Sequence, residues 1–220
     1  MKQKKFTHVK EPPQNDLLSE ETESERYYLT PEGKYPSVTT VTGWDKRKFF
    51  AEWRKNNPEE AKRTTSRGNK LHKLIEKYIN NEKLEKKEID LATLDLFLQI
   101  KKDVDRIDNI HALEVPLYSK LLKLAGRVDC IAEFDGELAV IDFKGSTKTK
   151  RKEDIENYFL QATAYSIMWK ERTGVAIKKV VILISCEDGG VQIFEANPIN
   201  YVEALKSAIE KYEKEKNATI

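Results

Sequence analysis

The sequence predicts an α/β fold in which helices pack on a mixed β-sheet. Three observations predict it. Apolar residues recur every three or four positions from Asp45 to about Arg106, then switch to a period of two. Asp135-Gly136 separates two strand-like runs as a tight hairpin signal. Val180 to Ser185 is an almost unbroken apolar run, as a central strand covered on both faces should be. Helical and strand patterns in this order build a sheet covered by helices. A length of 220 residues fits one such domain, at 27–220, behind a short arm.

Residues 1–26 are rich in Glu, Lys, Gln, Ser and Pro and poor in large apolar groups, so they read as a flexible N-terminal arm. Tyr27 to Val41 is strand-like, with turn residues at Pro31, Gly33 and Pro36. From Asp45 the pattern is helical: Phe49 and Phe50 precede Trp53 by four and three positions, and Pro58 stops the run. A second helix over 59–80 carries Leu71, Leu74, Ile75, Tyr78 and Ile79 on one face. A third, over 90–106, offers Leu91, Leu94, Leu98 and Ile100. Leu113, Val115 and Leu117 then alternate with polar or turn residues, and strands over 122–134 and 137–144 flank the hairpin turn. A charged loop leads to a helix over 155–173. After Val180 to Ser185 come a turn at Asp188-Gly189-Gly190, a short strand, and a last helix with Tyr201, Val202, Leu205, Ala208, Ile209 and Tyr212 inward.

Composition limits the function. Lys plus Arg is 39 and Asp plus Glu is 37, a net charge of +2. That excludes a uniformly basic, histone-like coat for nucleic acid but leaves room for a local basic groove. Hydrophobic residues at 39% can fill a core. Two cysteines, Cys130 and Cys186, cannot supply a four-cysteine zinc or iron–sulfur site, and their small number suits a reducing, cytoplasmic setting. The N-terminus lacks the apolar segment of a secretory signal, and no run of 18 apolar residues is present, so no membrane association is expected.

The chemistry concentrates in GRVDCIAEFDGELAVIDFKGS, residues 126–146. With a two-residue turn at Asp135-Gly136, cross-strand partners sum to 271, so Asp129 falls opposite Asp142 on the same face. Side chains so placed have Cβ atoms about 4.5–5.5 Å apart, and like charges there repel. Ile131, Leu138 and Val140 on that face limit their solvation. A divalent cation between the carboxylates relieves the repulsion, and Mg²⁺ in particular takes hard oxygen ligands and substrate phosphate. Lys144, two residues beyond Asp142, projects from the same face, where an ammonium can contact phosphate or position and deprotonate water. The alternative is a charged, solvated hairpin without a task.

Three further features accompany this pair. His72 lies on the second helix, four residues after Gly68, whose missing side chain opens that face to a ligand. Asn157, Gln161 and Tyr165 form a row at helical spacing suited to phosphate contacts. Lys46, Arg47, Lys48, Arg54, Arg63, Arg67, Lys70 and Lys73 interleave with Trp44, Phe49, Phe50 and Trp53, and Lys148, Lys150, Arg151 and Lys152 follow Lys144. Cations with stacking rings suit single-stranded nucleic acid, although most of these rings are expected in the core.

In this order, Gly68…His72, Glu114, Gly126-Arg127-Val128-Asp129, Asp142-Phe143-Lys144 and Gln161…Tyr165 resemble the PD-(D/E)XK nuclease superfamily, and within it the RecB/Cas4-like branch with its mitochondrial and phage exonucleases. The resemblance covers roughly residues 35–213. It implies a restriction-endonuclease-like three-layer core, a central mixed β-sheet flanked by helices. It also implies hydrolysis of DNA phosphodiesters with Mg²⁺ or Mn²⁺. Asp129, Asp142 and Lys144 match the catalytic positions. His72, Asp129, Asp142 and the backbone carbonyl of Phe143 match metal positions, with Glu114 orienting a second ion or a water. Gln161 and Tyr165 match a Q-x-x-x-Y motif, and with Arg67, Lys70, Lys148 and Lys150 they are expected to bind substrate. Gly145 stands where threonine is common in the family, and the four cysteines of an iron–sulfur cluster are lacking. The expected activity is exonucleolytic, on single-stranded DNA with free ends. An endonuclease with the same site, structure-specific or restriction-type, or a non-catalytic nucleic-acid-binding module remain as alternatives.

Overall fold

The computed structural model describes residues 4–11, 15–22, 25–85 and 89–218. A five-stranded mixed sheet forms its centre, in the order β4 (Ile107–Ser119), β5 (Leu124–Phe134), β6 (Glu137–Ser146), β7 (Lys179–Cys186) and β8 (Gly190–Ala196). All neighbours are antiparallel except β6 and β7, which run parallel. A parallel pair requires a crossover, and α5 (Glu156–Thr173) supplies it.

Helices cover both faces, giving the expected three layers. On one face α3 (Pro58–Ile79) and α4 (Leu91–Val104) bury Leu71, Ile75, Phe97 and Ile100 against Ala132, Phe134, Ile141 and Leu183. On the other, α5, α1 (Val38–Thr42) and α6 (Val202–Asn217) enclose Val128, Ile131, Val140 and Ile182. Every residue of β7 except Lys179 is buried, as its unbroken apolar run implies. The hairpin turn has Asp135 at φ +54° and Gly136 at φ +79°. Two consecutive left-handed residues make the turn whose twist matches that of the strands.

Four expectations need correction. The described part of the N-terminal arm is docked. Phe6 is buried in the α3–α4 cluster, and the backbones of Thr7 and Val9 bond Ile110 on edge strand β4 at 2.8 Å each. Ser19–Glu21 forms β1, which pairs with β2 (Arg26–Thr30) and through it with β3 (Gly33–Pro36). Residues 1–3, 12–14 and 23–24 of that arm lie outside the described residues. Val38–Thr42 is a helix despite its β-branched content, because Ser37 caps it by accepting the Thr40 amide at 3.0 Å and Val38 and Val41 are buried. Helix α4 turns Leu96, Phe97, Ile100 and Val104 inward and leaves Leu91 and Leu98 exposed. Helix α2 (Arg47–Asn56) buries no residue at all, and Phe49 and Phe50 are exposed. No helix among the described residues is long and apolar enough to cross a membrane.

Candidate active site

The hairpin keeps its expected register from Phe134↔Glu137 to Cys130↔Ile141, each pair summing to 271. The ladder then stops one pair short of Asp129 and Asp142. In its place the Asp129 carboxylate accepts the Phe143 amide at 2.9 Å. Side-chain alternation slips at the same level. Val128 and Ile131 share the α5-side cluster although three residues apart, and so do Ala112 and Val115 on β4. Regular strands place such residues on opposite faces. Glu114, between the latter two, has φ +51°, a left-handed conformation rare for a residue with a side chain.

This double slip gathers His72, Glu114 and Asp129, one ligand atom of each lying within 4.8 Å of the others. His72 Nδ1 is 3.6 Å from Asp129 Oδ2 and 3.9 Å from Glu114 Oε1. Burial works against an imidazolium at His72, but the Asp129 and Glu114 carboxylates outweigh it and hold the ring above its usual 6.5. The donor set, two carboxylates and an imidazole packed together inside a cleft, fits a divalent cation such as Mn²⁺ or Mg²⁺.

Asp142 is not in that cluster. It is 2% exposed, and Lys144 Nζ lies 2.6 Å from both its oxygens. Only Oδ1 is aligned to accept a hydrogen bond; buried Oδ2 has no hydrogen-bond partner among the described residues. Burial pushes Asp142 up to about 6 against the pull of Lys144. Lys144 is itself desolvated, but Asp142 and Asp129 keep it an ammonium. Its Nζ also sits 5.0 Å from the centre of the Tyr158 ring. In an extended strand the N–H and C=O of one residue face the same neighbour. The Phe143 carbonyl therefore shares the β5 side with its amide, as a ligand role would need.

His72, Glu114, Asp129 and Lys144 open into a cleft of about 730 Å³. Gln161 and Tyr165 line it too; they are buried rather than displayed, with the Tyr165 ring under Gly126, where any Cβ would meet the phenol oxygen at 2.6 Å. Asn157, the third of their row, lies 3.4 Å from Lys46 instead. Gly68 lines the cleft, and a Cβ there would touch no protein atom. The expected basic residues divide differently. Arg67 is buried and pairs with Glu187, to which Arg63 also binds. Lys70 turns away to Asp90 at 3.0 Å. Lys148 is exposed and Lys150 half-buried in the loop after β6, outside the cleft lining. A residue that carried no expected role, Arg127, lines the cleft; its position two residues before Asp129, on the same strand, was the available signal.

Residues 91–218, more than half of the chain, match the PD-(D/E)XK nuclease superfamily, and the chain belongs to it. Among named relatives, mitochondrial genome maintenance exonuclease 1 of Homo sapiens is 27% identical over 128 residues, 56% of this chain and 37% of that protein. The Mus musculus protein of the same name is 41% identical over 51 residues, 23% of this chain and 15% of that one. The chain thus matches well under half the length of these relatives. A candidate exonuclease of Eubacterium rectale shares the fold at a TM-score of 0.51 and 14% identity, over 71% of this chain and 68% of that one.

Proposed function

We propose that the chain is a divalent-metal-dependent deoxyribonuclease that hydrolyses phosphodiester bonds from free ends of single-stranded DNA inside the cell. The observation that carries this reading is the gathering of His72, Glu114 and Asp129 in a cleft of a nuclease-family chain. These three side chains would hold Mg²⁺ or Mn²⁺. The Phe143 carbonyl, whose amide meets Asp129, and Asp142, the residue before it, would be further ligands. When bound, the ion lowers the pKa of a water and stabilises charge on the scissile phosphate.

The other roles belong to the chain itself. Lys144 stays protonated beside Asp142, so it serves as a cation for phosphate or for orienting water rather than as a base. Buried Asp142 fixes where that cation sits. Gln161 and Tyr165 form the cleft wall that positions the strand. Preference for single strands is supported by α2, where Phe49 and Phe50 stand exposed among Lys48, Arg54 and Lys55. Rings beside cations stack on unpaired bases of any sequence.

The test uses end-labelled single strands, duplexes and closed circles, with Mg²⁺, Mn²⁺ or chelator. Shortening of linear single strands that stops in chelator is expected. Intact linear DNA under both metals would refute the enzyme, and cutting of closed circles would replace the exonuclease with an endonuclease.

A further inference from the structure

Arg127 is half-exposed at the cleft, on β5, and faces Pro116 across the β4 ladder. Its guanidinium donates two hydrogen bonds among the described residues. Nη1 donates to the backbone carbonyl of Glu114, and Nη2 pairs with the carboxylate of Asp16. The first reaches the one residue of β4 whose backbone must be left-handed for its side chain to leave the regular alternation. Asn109, the other left-handed residue of β4, lies at the separate register shift between Asp108 and Ala112. A glutamate has no intrinsic reason to hold φ +51°, and conformations of this kind persist only where surrounding groups fix them. A guanidinium fork offers a rigid, charged donor for such a carbonyl.

We propose that Arg127 is a positioning residue: by gripping the Glu114 carbonyl it locks the left-handed backbone that turns the Glu114 carboxylate toward His72 and Asp129. The inference rests on reading that cluster as a metal site. It assigns Arg127 a task performed before any DNA arrives, distinct from a phosphate contact. The Asp16 contact is secondary, because that carboxylate is largely exposed and screened by solvent.

Calorimetric titration of Mn²⁺ into the full chain, without nucleic acid, tests this. Removing a group that orients a metal ligand commonly weakens the metal by about 10–100-fold. Arg127→Ala should therefore lower Mn²⁺ affinity by about tenfold or more, while Arg127→Lys, which keeps one charged donor, recovers most of it. In a Glu114→Ala background the same Arg127→Ala change should add less than about twofold, since its target is gone. Asp16→Asn should leave affinity within about twofold of the parent. Circular dichroism melts identify folded variants, and Arg127→Met, which fills the same space without a donor, replaces an alanine variant that fails to fold. Unchanged Mn²⁺ affinity in a folded Arg127→Ala or Arg127→Met variant overturns the proposal. So does a full loss that persists without Glu114, or an equal loss from Asp16→Asn. Should the parent chain take up no Mn²⁺, the metal reading falls, and hydrogen exchange of the β4 backbone around Glu114 decides the rest. Faster exchange in Arg127→Ala but not in Asp16→Asn upholds the grip, and unchanged exchange ends it.

Discussion

The two ends of the β5–β6 hairpin are made of the same kind of strand and do opposite work. From Cys130 to the turn, backbone pairs with backbone and apolar side chains alternate between two cores. Beyond Cys130 the ladder opens, the Asp129 carboxylate takes the Phe143 amide, and the alternation slips on β5 and β4 together. The regular end buries Ile131 and Val140 and thereby holds the sheet. The irregular end gives up backbone pairing to bring carboxylates, an imidazole and an ammonium into one cleft. On the proposed function, stability and chemistry are separated along a single hairpin, and substitutions at the two ends should fail in different ways.

The largest effect is expected at the irregular end. Asp129→Asn keeps an oxygen for the Phe143 amide but weakens the cluster, so single-turnover cleavage should fall on the order of 10³-fold with the melting temperature nearly unchanged. A variant that retains a rate within tenfold of the parent would move the chemistry elsewhere.

Lys144→Met should lose both rate and stability, because it leaves the Asp142 carboxylate buried without its cation. Removing one partner of a buried pair costs roughly 3–5 kcal/mol. The sign with pH follows from Asp142, whose pKa is already raised to about 6 with Lys144 present. Loss of the ammonium raises it further. A carboxyl whose pKa is higher folded than unfolded is tolerated at low pH and penalised as pH rises through its folded value. Melts in chelator should therefore show the variant close to the parent near pH 4.5 and increasingly less stable toward pH 8. A deficit independent of pH would contradict the buried-carboxylate account.

At the regular end the pattern reverses. Ile131→Ala should cost about 2–5 kcal/mol in denaturant unfolding and leave the cleavage rate of the folded fraction within about twofold. A rate loss like that of Asp129→Asn would erase the division between the two ends.

The smallest effect is expected outside the hairpin. Replacing Phe49 and Phe50 by Ala should not destabilise the fold, since neither is buried. It should weaken single-stranded DNA binding by about 1–3 kcal/mol for each stacked base lost, measured by fluorescence anisotropy in chelator. Equal loss on duplex DNA would remove the case for stacking.

The same division governs what the sequence discloses. The turn residues Asp135 and Gly136 and the alternation around them suffice for the register of the regular end. They say nothing about where a ladder stops. A left-handed glutamate has no sequence signature, so Glu114's place beside His72 was visible only through family resemblance. The contact between Asp142 and Lys144 depends on where an ammonium finds its partner in three dimensions. Helix α4 misleads because LATLDLFLQI is apolar nearly all round, and periodicity cannot choose its inner face. Helix α2 misleads for the opposite reason: Phe49, Phe50 and Trp53 have core spacing, yet the helix packs too lightly to bury any residue. Arg67 and Lys70 are basic and near His72 in sequence, but helical rotation carries them to Glu187 and Asp90.

Crystals soaked in Mn²⁺ and recorded at its absorption edge test the central arrangement most directly. One anomalous peak bonded to His72, Glu114 and Asp129 is the expected result. A fully soaked crystal with no peak there, or with its strong peak on other side chains, would show that the slipped strands were not built around an ion.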